Sequence, residues 1–267
     1  MPLKKLKYTY EYCKSNIGSF ILVLMMIFLT DQINAHYYSL EVEIKFIMIL
    51  LATCITLIFH GYGLVVTKDN IDGGISLPKL PVYKSFVFGI KSTILFSVYA
   101  TIQYIIYSTV SIIFDLPFIE VAEGKIAISN VNSLFYAHDG FETIIFFIFV
   151  IISIYVFTFF MEISLARLAD KNSILDSLNV AALVKCINTI GWGHYAIDYT
   201  KLILAISILA YMKFGLNIMV SHPIIDLIIG LLIFIIQYIG IGRIYHEYKV
   251  KKYGNTRKTI KIVEEIK

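Results

Sequence analysis

Apolar residues gather in six long runs, at about residues 15–33, 45–66, 86–114, 143–166, 195–219 and 224–245, each closed by charges or turn residues. Most are near the roughly 20 residues that a helix needs to cross about 30 Å of hydrocarbon. Inside each run Ile, Leu and Phe form continuous blocks, unlike the short alternating segments of a membrane barrel. The pattern predicts an all-α polytopic membrane helical bundle of about six transmembrane helices. The fifth run is the least regular, because Asp198 and Lys201 precede its apolar block and Lys213 and Asn217 follow it. Trp192, Tyr195 and Tyr199 mark an interfacial belt at its start.

Two further segments are amphipathic. Residues 2–15 place Leu3, Leu6, Tyr10 and Cys13 on one stripe with Lys4, Lys5, Lys7 and Lys14 off it, which predicts an N-terminal basic helix lying on the membrane. In residues 173–188 a capping pattern, Ser173-x-x-Asp176, precedes a stripe of Ile174, Leu178, Ala181, Val184 and Ile187, and predicts a second interfacial helix in mid-chain. The longest loop, residues 115–142, alternates apolar and polar positions around Glu123-Gly124, as a small hairpin would. Residues 1–248 thus read as one six-helix domain and 249–267 as a basic cytosolic tail.

Composition agrees with the pattern. The 267 residues are 58% hydrophobic and 16% charged, whereas a soluble domain is about a quarter charged. Of the 23 lysines and arginines, all but Lys45, Lys125 and Lys213 fall on one side of the predicted spans. That bias predicts a protein of the plasma membrane with both termini in the cytoplasm. The opposite side carries acids, among them Asp31, Glu41, Glu43, Asp139 and Asp226, so the pI of about 8.7 sums a basic inside and an acidic outside and does not point to nucleic acid. Cys13, Cys54 and Cys186 have neither disulfide-framework nor zinc spacing. The first run ends in Thr30-Asp31 without a small-x-small cleavage pattern, so it is expected to remain as an anchor.

The hinge of the pattern is the stretch from His60 to Lys84. An apolar helix ends in Gly61-Tyr62-Gly63-Leu64, a short loop carries Leu77-Pro78-Lys79-Leu80-Pro81, and Phe86-Val87-Phe88-Gly89-Ile90-Lys91 starts the next span. With Leu6-Lys7-Tyr8 before the first span and Met161-Glu162-Ile163-Ser164-Leu165-Ala166 leaving the fourth, this resembles the prokaryotic, mostly archaeal, membrane family catalogued as domain of unknown function 4013. The resemblance implies a six-helix membrane protein and no established activity. Lys79-Leu80-Pro81 departs from it, because family members tend to be acidic after the Leu-Pro. Gly61, Gly63, Pro78 and Pro81 are its signature positions here. The glycines are expected to let helix ends pack closely, and Leu77 to Pro81 to brace the turn, with Tyr62 and Tyr83 at headgroup level.

Candidate chemistry is sparse. Thr93, Ser97, Thr101, Tyr104, Ser108, Ser111 and Asp115 recur at spacings of three and four, giving the third helix one polar face, either a packing seam or the wall of a polar path. His60, near the end of the second span, is either an interfacial hydrogen-bonding group or a relay. Glu162 in the fourth span calls for a partner, with Arg167, Lys201 or Arg243 as candidates, and Asp198 and Lys201 sit at i, i+3 spacing suited to an ion pair. Gly240-x-Gly242 repeats the Gly61-x-Gly63 pattern in the last span. A HExxH motif, a GxSxG elbow and a P-loop are absent from the sequence, so no catalytic residue, metal or cofactor is expected.

The expected role is a non-catalytic scaffold or partner subunit that engages anionic lipid, another membrane protein or a second copy of the chain at the cytosolic face. The alternative is a small transporter or channel whose path runs along the third helix and uses His60, Ser97, Thr101, Tyr104, Ser108, Glu162 and Lys201.

Overall fold

A computed structural model describes residues 14–36, 42–74, 76–113, 120–122, 125–127, 140–219 and 223–254. The expected N-terminal surface helix, most of the tail and Asp115 lie outside these residues. The elements in chain order are α1 (Ile17–His36), α2 (Val42–Ile71), α3 (Val82–Ile113), β1 (Glu120–Ala122), β2 (Lys125–Ala127), α4 (Gly140–Lys171), α5 (Ile174–Leu178), α6 (Val180–Ile190), α7 (Trp192–Met219) and α8 (Pro223–Tyr253). Five of these helices contain segments long and apolar enough to cross a membrane, namely Ile44–Ile71, Val82–Val110, Phe147–Lys171, Trp192–Leu216 and Ile225–Tyr253. Ile17–Ile33 forms a shorter apolar helix. The all-α bundle is therefore as expected, and β1 and β2 pair antiparallel, Val121 opposite Ile126, on either side of Glu123-Gly124.

The helices outrun their apolar cores. Hydrocarbon depth sets the length of an apolar run, but a helix continues until something caps it. α2 ends where Gly73 adopts φ 75° and its N–H returns to the Asn70 carbonyl, at 3.1 Å. α4 stops at Asn172 (φ 56°), whose N–H returns to Leu168 O, and α8 at Gly254 (φ 74°), whose N–H returns to Val250 O. Left-handed caps of this kind satisfy the last carbonyls of a helix. Lys249, expected in a loose tail, thereby becomes part of α8.

The mid-chain surface helix is two helices. Ser173 caps α5 as expected, its hydroxyl accepting from Asp176 N–H, but Asn179 then accepts from Ala182 N–H and starts α6 afresh. The face of α6 that is buried is Leu183, Cys186, Ile187 and Ile190, while Ala181 of the expected stripe is exposed. Tertiary anchors rotate it: Arg167 donates to Asp176 O (3.1 Å) and contacts Cys186 Sγ (3.3 Å), Ser164 Oγ donates to Ser177 O, and Lys251 Nζ caps Ile190 O.

The chain divides into two units, residues 1–94 with 162–267, and residues 95–161. In the second unit the Tyr107 hydroxyl of α3 donates to Val150 O of α4 at 3.4 Å. In the first unit glycines govern the packing. A Cβ on Gly61 would run into the Ser85 carbonyl and lie 2.6 Å from Gly89 N, and one on Gly89 would strike the Leu57 backbone, so α2 and α3 meet backbone to backbone. Gly63 accommodates the Tyr238 ring, Gly242 faces Thr67 and Asn70, and Gly240 receives the Leu202 side chain. The two Gly-x-Gly pairs thus make separate contacts across α2, α3, α7 and α8. Small residues of this kind let membrane helices approach closely enough for dispersion to hold them.

Tyr62 faces the protein interior. It is fully buried, and its hydroxyl donates to Pro78 O at 2.7 Å, so the brace is tied from inside, while Tyr83 remains 82% exposed. Leu77 N–H donates to Ser15 Oγ at 2.8 Å, anchoring the same loop at the base of α1.

Because the obstacle at Gly61 is backbone, which cannot swing aside, Gly61→Ala is expected to destabilise by about 1–3 kcal/mol or more. Gly193→Ala, where nothing lies within 4 Å, should be near neutral. Thermal unfolding of the detergent-solubilised variants checks the contrast, and equal midpoints for the two would remove the close-approach argument.

Candidate functional site

One end of the first unit concentrates charge. The Asp170 carboxylate of α4 receives Lys68 Nζ of α2 at 2.9 Å and Lys249 Nζ of α8 at 2.7 Å, and is itself only 5% exposed. Lys249 also reaches Asp72 at 2.8 Å, and His246 donates to the last carbonyl of α2, Ile71 O. Three helices are thereby clamped around one carboxylate. Lys91 reaches the Asn172 carbonyl at 2.8 Å and adds α3 to this end. Around it Lys79, Lys84, Lys185 and Lys252 are exposed.

Deeper in the unit, polar groups pair across helices. His60 Nδ1 hydrogen-bonds to the Tyr238 hydroxyl at 2.9 Å, and Thr67 Oγ1 donates to Tyr238 O at 3.0 Å. Glu162 is buried, yet its expected cationic partner is not there: Gln237 Nε2 donates to Oε1 at 3.3 Å, and Oε2 has no hydrogen-bond partner. Arg167 is engaged with α5 and α6 instead, as described above. His60 and Glu162 therefore meet neighbouring positions of α8, Tyr238 and Gln237. Nothing in the sequence distinguishes Gln237 and Tyr238, since a lone Gln or Tyr in an apolar run reads as ordinary.

The polar face of α3 divides between the units. Among its residues, Ser97, Thr101 and Tyr104 are exposed and Ser108 is half-buried. Thr101 Oγ1 donates to Ser97 O at 2.7 Å and Thr93 Oγ1 to Gly89 O at 3.0 Å, so these hydroxyls are satisfied by their own helix.

Lys201 lines a different feature, a groove of about 250 Å³ between α7 and α8. The two helices run antiparallel, with His194 Nε2 2.9 Å from Glu247 at one end and Lys213 3.7 Å from Asp226 at the other. The floor of the groove is apolar, from Leu202, Ala205, Ile235, Ile236 and Ile239, and its mouth is set with Asp198, Lys201, Arg243 and Glu247. Lys201 pairs with Asp198 at 3.2 Å, as its i, i+3 spacing predicts. His194 lies 3.5 Å from Asp198 and bridges the two carboxylates. Sequence reading missed the contributions of His194, Arg243 and Glu247. The i, i+4 spacing of His194 and Asp198 was a legible signal, but the partnership of Glu247 and Arg243 with them arises only when α8 folds back on α7.

The family model described as protein of unknown function (DUF4013) matches residues 44–218. The chain belongs to this family. The match runs from α2 to α7 and includes Gly61, Gly63, Pro78, Pro81, His60, Glu162 and Lys201 of the DUF4013 chain. No curated protein and no solved structure matches it.

Loss of Asp170 in this DUF4013 protein leaves Lys68 and Lys249 with only the more exposed Asp72 between them. Asp170→Ala is expected to destabilise by roughly 3 kcal/mol, the lower range for removing one partner of a buried pair. Lys213→Ala, at a more exposed pair, should cost under about 1 kcal/mol. Thermal unfolding in detergent measures both, and a smaller loss for Asp170→Ala than for Lys213→Ala would contradict the clamp.

Proposed function

We propose that this protein is a multi-pass, non-catalytic membrane scaffold or partner subunit of the plasma membrane. Its charged end faces the cytoplasm and engages anionic lipid headgroups. The observation that carries the reading is the division of labour among the lysines of that end. Lys68 and Lys249 are spent on Asp170 within the fold, whereas Lys79, Lys84 and Lys185 are exposed, as is Lys252, whose ammonium rests on the Tyr248 hydroxyl at 2.9 Å. Outward lysines at a membrane surface each attract anionic lipid by about 1 kcal/mol. Helices of the same unit present exposed Phe46, Ile47, Leu204 and Phe214, surfaces suited to lipid tails or to another membrane helix. Both termini lie on the cytoplasmic side in this reading, and a second copy or a membrane-protein partner is accommodated along the exposed faces.

Reconstitution tests the reading. In phosphatidylglycerol-rich vesicles the unfolding midpoint is expected to exceed that in phosphatidylcholine alone, and the gain should shrink as salt rises from low ionic strength toward about 1 M, where screening acts within about 3 Å. Replacing Lys79, Lys84, Lys185 and Lys252 together by Gln should abolish most of the gain. If the midpoint is the same in both lipids at low salt, the lipid-engaging role is wrong.

A further inference from the structure

We infer that the groove between α7 and α8 is a binding site for one zwitterionic phospholipid whose headgroup ends in a primary ammonium, as in phosphatidylethanolamine. This assignment rests on the reading that the charged end of the first unit lies among lipid headgroups. It goes further in naming a discrete site and a headgroup.

The argument is the order of chemistry with depth. α7 enters the groove from its N-terminal end, so Asp198 lies outermost and Lys201, three residues on, about 4.5 Å deeper at 1.5 Å rise per residue. α8 runs the other way, so Glu247 is outermost and Arg243, four residues earlier, about 6 Å deeper by the same rise. Along the two antiparallel backbones the carboxylate-bearing positions therefore lie outside the cation-bearing ones, and the Lys201 ammonium reaches outward to Asp198 at 3.2 Å. Beneath the cations come Leu202, Ala205, Ile235, Ile236 and Ile239. Read from the floor outward by backbone position, the groove is apolar, then bears the two cationic residues, then the two acidic ones, whose charged ends meet at the mouth. A phospholipid bearing a terminal ammonium is, in the same direction, acyl chain, phosphodiester, then ammonium.

The individual groups suit these roles. Arg243 is half-buried, and a guanidinium offers a planar fork of donors to a phosphate. Lys201 is 69% exposed at its side chain and has a flexible stem that can place its ammonium on the same phosphate. Asp198 and Glu247 converge on one point, since His194 Nε2 touches both, at 3.5 and 2.9 Å. The lipid ammonium would share that point with His194, whose own side chain is 53% exposed and has room to move aside. Phosphatidylglycerol would set its phosphate on the same two cations but bring only neutral glycerol hydroxyls to the two carboxylates, giving them no ionic partner. Charge balance in the mouth, two cations against two acids, therefore selects the zwitterion, whereas the outward lysines elsewhere attract anionic lipid without a fitted site. From the apolar floor the acyl chains would continue over the exposed side of α7, where Leu204 and Ile208 lie.

The test is headgroup competition on the full chain by native mass spectrometry. Detergent-solubilised protein is offered equal amounts of phosphatidylethanolamine, phosphatidylglycerol and phosphatidylcholine of identical acyl composition. One phosphatidylethanolamine per chain is expected to be retained at about tenfold preference over phosphatidylglycerol, a free-energy difference of about 1.4 kcal/mol. D198N/E247Q should erase that preference while still retaining lipid, and K201Q/R243Q should lose the retained lipid of either kind. The competition on the unmodified chain needs no variant, so a folding defect in either double variant leaves the test standing. Equal retention of all three headgroups, or preference for phosphatidylglycerol, overturns the site and leaves the lysine-mediated engagement of anionic membranes intact. Retention of no lipid, together with no stabilisation by phosphatidylglycerol vesicles, overturns both. A selectivity unchanged in folded D198N/E247Q overturns the role of the outer carboxylates and with it the assignment.

Discussion

In hydrocarbon, an apolar side chain gains nothing by leaving lipid for another apolar side chain, so helices of this composition need some other reason to meet. Here the reason is backbone proximity. Gly61 and Gly89 remove every atom between α2 and α3 at their crossing, and Gly63, Gly240 and Gly242 make recesses that Tyr238, Leu202, and Thr67 with Asn70 occupy. Dispersion grows steeply as surfaces come into contact, and polar groups brought close can bond across helices. The hydrogen bond of Thr67 to the Tyr238 carbonyl and that of His60 to the Tyr238 hydroxyl depend on this approach, because each spans α2 and α8 beside a glycine.

The charged end follows from the same packing. Once α2, α4 and α8 are drawn together, their cap regions bring Lys68 and Lys249 each within 3 Å of Asp170, and one carboxylate holds two ammonium groups. An ion pair of this kind contributes more to register than to net stability, since desolvation offsets much of its attraction. It fixes where three helices end relative to each other. That alignment puts the α7–α8 groove with its charged mouth at the end where α6 docks and Lys251 caps Ile190.

Glu162 shows a different compromise. A carboxylate in an apolar span is costly, and a cation was the obvious remedy from sequence. The nearby cation, Arg167, is held by Asp176 O and Cys186 instead, and an amide from α8 takes its place at Glu162. The arginine lies five residues along the same helix, so it projects from a different part of the surface and serves the docking of α5 and α6.

Hydropathy alone determined that the chain is helical and suited to a membrane, because a backbone at hydrocarbon depth must satisfy its own hydrogen bonds and only long apolar runs can do so as helices. It also located the capping serine at 173, the hairpin around Glu123-Gly124 and the tight glycines at 61 and 63, since these depend on local backbone geometry. Tertiary structure alone decided which face of α6 is buried, that Tyr62 points inward to Pro78, that Lys249 belongs to a clamp and not to a tail, and that His194, Glu247 and Arg243 share a groove with Asp198 and Lys201. Each of those outcomes joins residues from separate helices, and periodicity along one helix carries no information about the rotation or register of its neighbour.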